Sequence, residues 1–259
     1  MSSQNADNGR FVWYELLTKD PGAALAFYSK VIGWSTLAFG KGSNYVLLVA
    51  EQGPVGGAMG LPNPAATMGI PSSWTASVQV EDVDATASLA KKLGGAVRKE
   101  PEQVPGVGRF AVIADPHGAR LSISRPASPM NRHDSSKRGE FCWNELLTTD
   151  HGAAFEFYSA LFGWENLQDM DMGPVGTYRV FGSGENRLGG MMNLPTGAST
   201  PPMWLFYVET LSLDEAMATA VKEGATVMNG PMDVAGGGRI VQMVDPQQVA
   251  FALHQSQKK

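Results

Sequence analysis

Two glutamates, Glu15 and Glu145, occupy the same place in the pattern Trp-x-Glu-Leu-Leu-Thr-x-Asp, which runs from 13 to 20 and again from 143 to 150. Strand side chains alternate between faces, so Trp13 shares a face with Glu15, and Trp143 with Glu145. A carboxylate on an apolar face is costly unless it is paired or hydrogen-bonded. Burial would raise its pKa towards neutrality, which suits proton abstraction next to a carbonyl. A structural ion pair, or a bond to backbone N–H groups, fits the same pattern, and both readings stay open. Arg109 and Arg239 are the candidate partners, because each follows a glycine in the repeated order Gly-Arg then Asp-Pro. A guanidinium fork can grip a carboxylate at two points. That carboxylate could be the strand glutamate, the Asp of Asp-Pro, or a bound anion.

The other reactive residue types are few. Cys142 is the one cysteine, so no disulfide can close within the chain. It lies beside Trp143 in an apolar run and reads as a packed, inert thiol. Of the four histidines, His117 lies in an Asp-Pro-His-Gly turn, His133 in a linker and His151 at a helix start. Only His254 falls on a strand. Gly56-Gly57 and Gly189-Gly190 lack the Gly-Lys-Ser/Thr ending of a phosphate loop. They read as places of close backbone approach or as bulges that curl a sheet. Met59, Met192, Trp74 and Trp204 would supply adaptable apolar pocket walls, or ordinary core.

The elements that carry these residues occur twice. From Phe11 and Phe141, 15 of 24 aligned positions are identical. The offset is 130 for Trp13/Trp143, Trp74/Trp204 and Asp115/Asp245, and 133 for the Gly-Gly segments VGGAMGLP and LGGMMNLP. The period is a whole domain. FVWYELL is a short β-type run. Asp20 is an N-cap with Pro21 at N1, and Ala24, Phe27, Tyr28 and Val31 form one helical stripe ended by Gly33. Asp150, Ala154, Phe157, Tyr158, Leu161 and Gly163 repeat it. Strands are expected at 44–50, 176–182 and from Trp74 to Val80. A helix is expected from about Asp82 to Leu93, and Ser212-x-x-Glu215 marks its counterpart as a capping box. RFAVIAD with ARLSIS, and RIVQMVD with VAFALHQ, close the copies. Each copy therefore reads β-α-β-β-β twice. The Pro/Ser-rich stretch 125–139 is the linker, with 127–138 separating domains 8–126 and 139–257.

The 43% apolar and 17% charged composition is globular. A net charge of -5 argues against a nucleic-acid partner. Residues 1–130 carry 11 basic and 10 acidic groups, and residues 131–259 carry 9 and 15. Such values suit solvated surfaces. The polar start MSSQNADNGR has no apolar core of a signal peptide, and no run approaches the ~18 apolar residues of a membrane span. A cytoplasmic protein is expected, monomeric or a small homo-oligomer.

LLTKD, the helix AALAFYSKVIGW and the late DPHGARLSI, in this order and doubled, resemble the vicinal oxygen chelate superfamily of glyoxalase I, bleomycin-resistance proteins and extradiol dioxygenases. Trp-x-Glu-Leu-x-Thr-x-Asp is similar to a two-domain, glyoxalase-like subfamily that includes a mycobacterial 27-kilodalton antigen. The resemblance implies an α+β fold of two tandem domains and four βαβββ modules, curved into cups. It also implies, for the enzymes, a divalent ion held by His, Gln or Glu that acts as a Lewis acid on two vicinal oxygens. Carried over residue by residue, the ligand positions fall on Trp13, Met59, Thr75 and Ser122, and on Trp143, Met192, Leu205 and Ala252. None is a good ligand for a hard or borderline ion. The usual metal is therefore expected to be absent and no other cofactor is implied, while Glu15 and Glu145 point into the cups. His254, two residues beyond Ala252, shares its inward face.

Two functions follow. The chain binds a small apolar-aromatic molecule without turnover, or it is a glyoxalase-like enzyme on a small carbonyl substrate. In the enzyme, Glu15 or Glu145 is the base, and Arg109 or Arg239 holds an oxyanion. A regulatory protein with relic cups is a third reading. The second cup is the better candidate if only one is active.

Overall fold

The computed structural model describes residues 7–40, 43–61, 71–235 and 237–257. Most of the polar start and Pro62 of the repeated glycine segment lie outside the described residues. The expected α+β architecture is present. The first copy runs β1 (Phe11–Thr18), α1 (Pro21–Val31), β2 (Ser35–Ala38), β3 (Val46–Ala50) and β4 (Gly53–Gly60). It continues with β5 (Ser73–Gln79), α2 (Val83–Lys92), β6 (Ala96–Val104), β7 (Gly108–Ala114) and β8 (Arg120–Pro126). The second copy repeats this as β9 (Phe141–Thr148), α3 (His151–Phe162), β10 (Glu165–Asp171), β11 (Thr177–Ser183) and β12 (Asn186–Asn193). It ends with β13 (Met203–Glu209), α4 (Leu213–Lys222), β14 (Thr226–Asp233), β15 (Gly238–Val244) and β16 (Ala250–Ser256). Two eight-stranded sheets result, ordered β2-β3-β4-β1-β5-β8-β7-β6 and β10-β11-β12-β9-β13-β16-β15-β14.

The local chemistry accounts for these elements. The Asp20 carboxylate accepts from Ala23 N at 3.0 Å, and Asp150 from Ala153 N at 3.0 Å, each satisfying an N–H that the helix cannot. Ser212 caps α4 through Glu215 N. α3 ends on Gly163 at φ 73°, a left-handed cap that costs glycine little. The buried residues of α1 are Ala24, Phe27, Tyr28 and Val31, the stripe the spacing predicts.

By contacts the chain forms two compact units. One comprises residues 1–13, 75–131 and 143–204, and the other 14–74, 132–142 and 205–259. Each unit therefore draws a module from each copy. In the first unit the core gathers Phe11, Tyr158, Phe162, Trp164, Phe181 and Trp204, with Phe11 stacked on Trp164 at 5.4 Å. In the second it gathers Tyr14, Tyr28, Trp34, Trp74, Phe141 and Phe251, with Tyr14 stacked on Phe141 at 3.7 Å.

A hydrogen-bonded chain runs through each core. Trp204 Nε1 donates to Tyr158 Oη at 3.1 Å, and Tyr158 donates to Asp115 Oδ2 at 3.1 Å. Trp74 donates to Tyr28 at 3.0 Å, and Tyr28 to Asp245 at 3.0 Å. The other oxygen of each Asp holds its own Asp-Pro turn, accepting from His117 N and Ala119 N, or from Gln247 N and Val249 N. The repeated Phe-Tyr, Trp and Asp-Pro motifs are thus one device, used once per unit. Burial raises both tyrosine pKa values well above the ordinary phenol value, with the facing Asp adding to the shift. Burial also raises both Asp pKa values, against the pull of the hydrogen bonds.

Candidate functional site

β9 places Trp143 and Glu145 on one face, as alternation predicts, and both reach the hydroxyl of Tyr178 on β11. Trp143 Nε1 donates to Tyr178 Oη at 2.8 Å, and Tyr178 Oη donates to Glu145 Oε1 at 2.9 Å. Glu145 is 5% exposed. Burial and then the Glu145 charge push the Tyr178 phenol well above its ordinary value, so it stays a proton donor. Gly190 on β12 is the Cα partner of Glu145, and a Cβ there would overlap the Tyr178 ring. Gly189, beside it, meets the carbonyl oxygen of Asn144, where no Cβ fits. The glycine pair is therefore a place of close approach, and a register shift between Phe181 and Gly182 supplies the bulge beside it. Met192 is paired with both Tyr178 and Leu147 across its two neighbouring strands. The result is an indole, a phenol and aliphatic side chains around one anchored carboxylate. Such a surface can accept a hydrogen bond or a proton from an otherwise apolar molecule.

Copy one has the same parts. Glu15 is the Cα partner of Gly57, and a Cβ at Gly57 would overlap the Tyr45 ring. Gly56 approaches Tyr14 O as Gly189 approaches Asn144 O. Tyr45 and Tyr178 were not among the expected site residues. Their signal was present, since each lies at the start of the apolar run before the glycine pair, Tyr45 just ahead of β3 and Tyr178 second in β11, with the same 133-residue offset.

The other expected residues fall elsewhere. Trp74 and Trp204 lie in the two aromatic cores, held by Tyr28 and Tyr158. Met59 and Met192 are half-buried. Arg109 grips Asp84 with two bonds of 2.5 and 2.6 Å, and Arg239 grips Asp214 at 2.8 and 3.0 Å. Their partner is thus an exposed acid in the first turn of the preceding helix, α2 or α4, not the strand glutamate or the Asp of Asp-Pro. Each guanidinium holds its Asp below the usual carboxylate range. Exposed pairs of this kind are screened and contribute little. Arg109→Ala and Arg239→Ala are expected to leave the thermal unfolding midpoint and ligand affinity unchanged, as calorimetry and titration would show.

His117 contacts Thr149, His133 contacts Glu140, and His151 contacts Asn193. His254 Nδ1 lies 2.5 Å from Glu209 Oε2, and Ser256 N donates to Glu209 Oε1 at 2.8 Å. Cys142 Sγ approaches Tyr207 O at 3.4 Å, and burial raises the thiol pKa well above its ordinary value.

A sequence profile of the Glyoxalase/Bleomycin resistance protein/Dioxygenase superfamily matches residues 10–123 and again 143–253. The chain belongs to this superfamily. A relative in it, CFP32 of Mycobacterium tuberculosis, provisionally named a glyoxylase, is 30% identical over 244 residues, covering 93% of this chain and 92% of that protein. The anthracycline biosynthesis protein DnrV of Streptomyces peucetius is 28% identical over 258 residues, covering 95% and 92%. Among solved structures, a variant of homoprotocatechuate 2,3-dioxygenase from B. fuscum superposes with a TM-score of 0.67 at 16% identity, covering 96% of this chain and 71% of that one. The Mn(II)-bound glyoxalase from Novosphingobium aromaticivorans gives 0.61 at 18%, covering 97% and 83%. These structures establish the shared fold.

The ion that the superfamily implies does not fit the residues at its carried-over positions. Leu205 and Ala252 are buried hydrocarbon, and the Trp143 ring nitrogen is a donor already used on Tyr178. Thr75 offers one hydroxyl, and Met192 a thioether that prefers soft metals. No hard-ion shell can be built from this set.

Proposed function

We propose that this superfamily member binds a small aromatic molecule on the face that carries Trp143, Glu145, Tyr178 and Met192, without the usual metal. The observation that carries this reading is the Trp143–Tyr178–Glu145 chain. It fixes a buried carboxylate on an apolar floor, in a cup whose ion-binding positions hold no suitable donors. Glu145 accepts from a hydroxyl or N–H of the ligand, while the indole and thioether cover its ring. The name of the relative DnrV suggests anthracyclines, polycyclic aromatics with phenol and carbonyl groups, as ligands to try. Glu15 with Tyr45 forms the equivalent set in the first copy. The protein acts as a monomer or small homo-oligomer, and its single cysteine suits a reducing cytoplasm.

A lyase is the second reading, favoured by the buried carboxylate and by the glyoxylase name of CFP32. Glu145 would then take a proton next to a carbonyl. The arginine expected to hold the oxyanion is committed to Asp214, so that task has no assigned residue.

Titration with a hydroxyanthraquinone, followed by quenching of the intrinsic tryptophan fluorescence, tests the binding reading. Glu145→Gln and Tyr178→Phe should each weaken binding roughly 10- to 100-fold, the worth of a hydrogen bond to a charged group. Wild-type affinity in both variants would refute this site. Turnover of a methylglyoxal–thiol adduct by the wild type, lost in Glu145→Gln, would select the lyase instead.

A further inference from the structure

Cys142, Glu209 and His254 come from β9, β13 and β16, and one ligand atom of each lies within 4.8 Å of the other two. None occupies a position that the family resemblance assigns to an ion. The histidine and the carboxylate sit on paired strands, with Glu209 the Cα partner of His254.

Copy one shows what this junction needs for folding alone. Its equivalents are Val12, Gln79 and Ser124. The backbone matches in both copies: Gln79 N donates to Arg10 O as Glu209 N does to Glu140 O, and Val80 N to Ser124 O as Thr210 N does to His254 O. Copy one joins its strands with a neutral Ser77–Ser124 hydrogen bond of 2.7 Å. Closing the strands therefore does not require a buried carboxylate, which is expensive. Three ligand-type side chains have arisen together at one junction of one copy.

We propose that Cys142, Glu209 and His254 bind a borderline divalent ion of the Zn²⁺ class. A sulfur, nitrogen and oxygen donor set selects such ions over Mg²⁺ and Ca²⁺. Tetrahedral bonds of about 2.3 Å to sulfur and 2.0 Å to nitrogen put neighbouring donors roughly 3.5 Å apart, so donors at the 4.8 Å limit close by about 1.3 Å, while His254 Nδ1 and Glu209 Oε2, 2.5 Å apart without the ion, give up their direct contact if Nδ1 is the ligand. The Cys142 thiol releases its proton to solvent, and its sulfur lone pair goes to the ion. Neutral His254 gives a ring-nitrogen lone pair, and Glu209 binds as the carboxylate. Thiolate and carboxylate then cancel the ion's charge, so the filled centre is neutral. Ser256 N keeps its bond to Glu209 and orients it. Cys142 and His254 are half-buried, and a water would fill the fourth position.

The test is a titration of the full chain, stripped with a chelator, with Co²⁺ alone. One equivalent should produce a thiolate-to-cobalt charge-transfer band and intense tetrahedral d–d bands, both erased by excess Zn²⁺. Cys142→Ser should remove the charge-transfer band. Glu209→Gln, which retains an acceptor for Ser256 N, should weaken binding at least tenfold. Glu145→Gln should bind Co²⁺ normally, which separates this site from the proposed ligand face. Circular dichroism establishes that each variant is folded. No saturable spectrum in the wild type, an unchanged charge-transfer band in Cys142→Ser, or full affinity in Glu209→Gln would overturn the proposal.

Discussion

Tyr158→Phe is expected to lower the unfolding free energy by about 3 kcal/mol, and Tyr28→Phe by the same amount. Each change removes a donor to a buried carboxylate and strips a buried indole N–H of its acceptor, and each such loss costs about 1–3 kcal/mol. The ring and its packing remain. Trp204, Tyr158 and Asp115 share no partner with Trp74, Tyr28 and Asp245, so the two losses should add in the double variant. Chemical denaturation measures this, and a loss under about 0.5 kcal/mol would show that the chain does not stabilise its core.

The pH dependence has a definite sign. Asp115 and Asp245 have raised pKa values in the folded state. Their favourable contribution is complete below the ordinary carboxylate pKa and is lost as pH rises through the raised folded value. The tyrosine bond lowers the Asp pKa, so removing it raises that value further. The gap between wild type and variant should therefore keep the pH-independent cost of the indole N–H in acid and widen as pH climbs towards neutrality.

Gly189→Ala is expected to cost about 3 kcal/mol, at the upper end for overpacking. The added Cβ meets the backbone oxygen of Asn144, and β9 cannot retreat without losing its parallel register with β12. Gly56→Ala repeats the conflict against Tyr14 O. Gly190→Ala should behave differently. Its Cβ meets the Tyr178 ring, which can swing away. Stability should fall less, while hydroxyanthraquinone affinity falls as far as in Tyr178→Phe. Denaturation and titration of both variants separate the two cases. A stable Gly189→Ala protein, or Gly190→Ala with unaltered affinity, would refute the reading of the glycine pair.

Much of this was legible in the residues. The capped helices, the apolar stripe of α1 and the duplicated order of strands follow from local chemistry that acts within a few residues. β6 and β14 were harder to see. AVRKEPEQV and TVMNGPMD are sheet-edge strands, largely exposed, so no buried face imposes an alternating pattern. At the site, Trp143 and Glu145 could be placed on one face because alternation alone decides it. Tyr178 could not, since its role depends on a ring crossing to a glycine on another strand. Arg109 and Arg239 misled for a related reason. The pattern Gly-Arg then Asp-Pro marks the neighbour in sequence, whereas the acid gripped lies 25 residues away.

Each compact unit takes one module from either copy, as a pair of identical half-length chains would if they associated by two-fold symmetry. In such a pair every substitution appears at both equivalent places at once. Joining the halves through the segment between β8 and β9 makes their partnership independent of concentration and releases each position from its twin. Val12, Gln79 and Ser124 could then stay neutral while Cys142, Glu209 and His254 diverged, giving one polypeptide two unlike halves that a symmetric dimer could never have held.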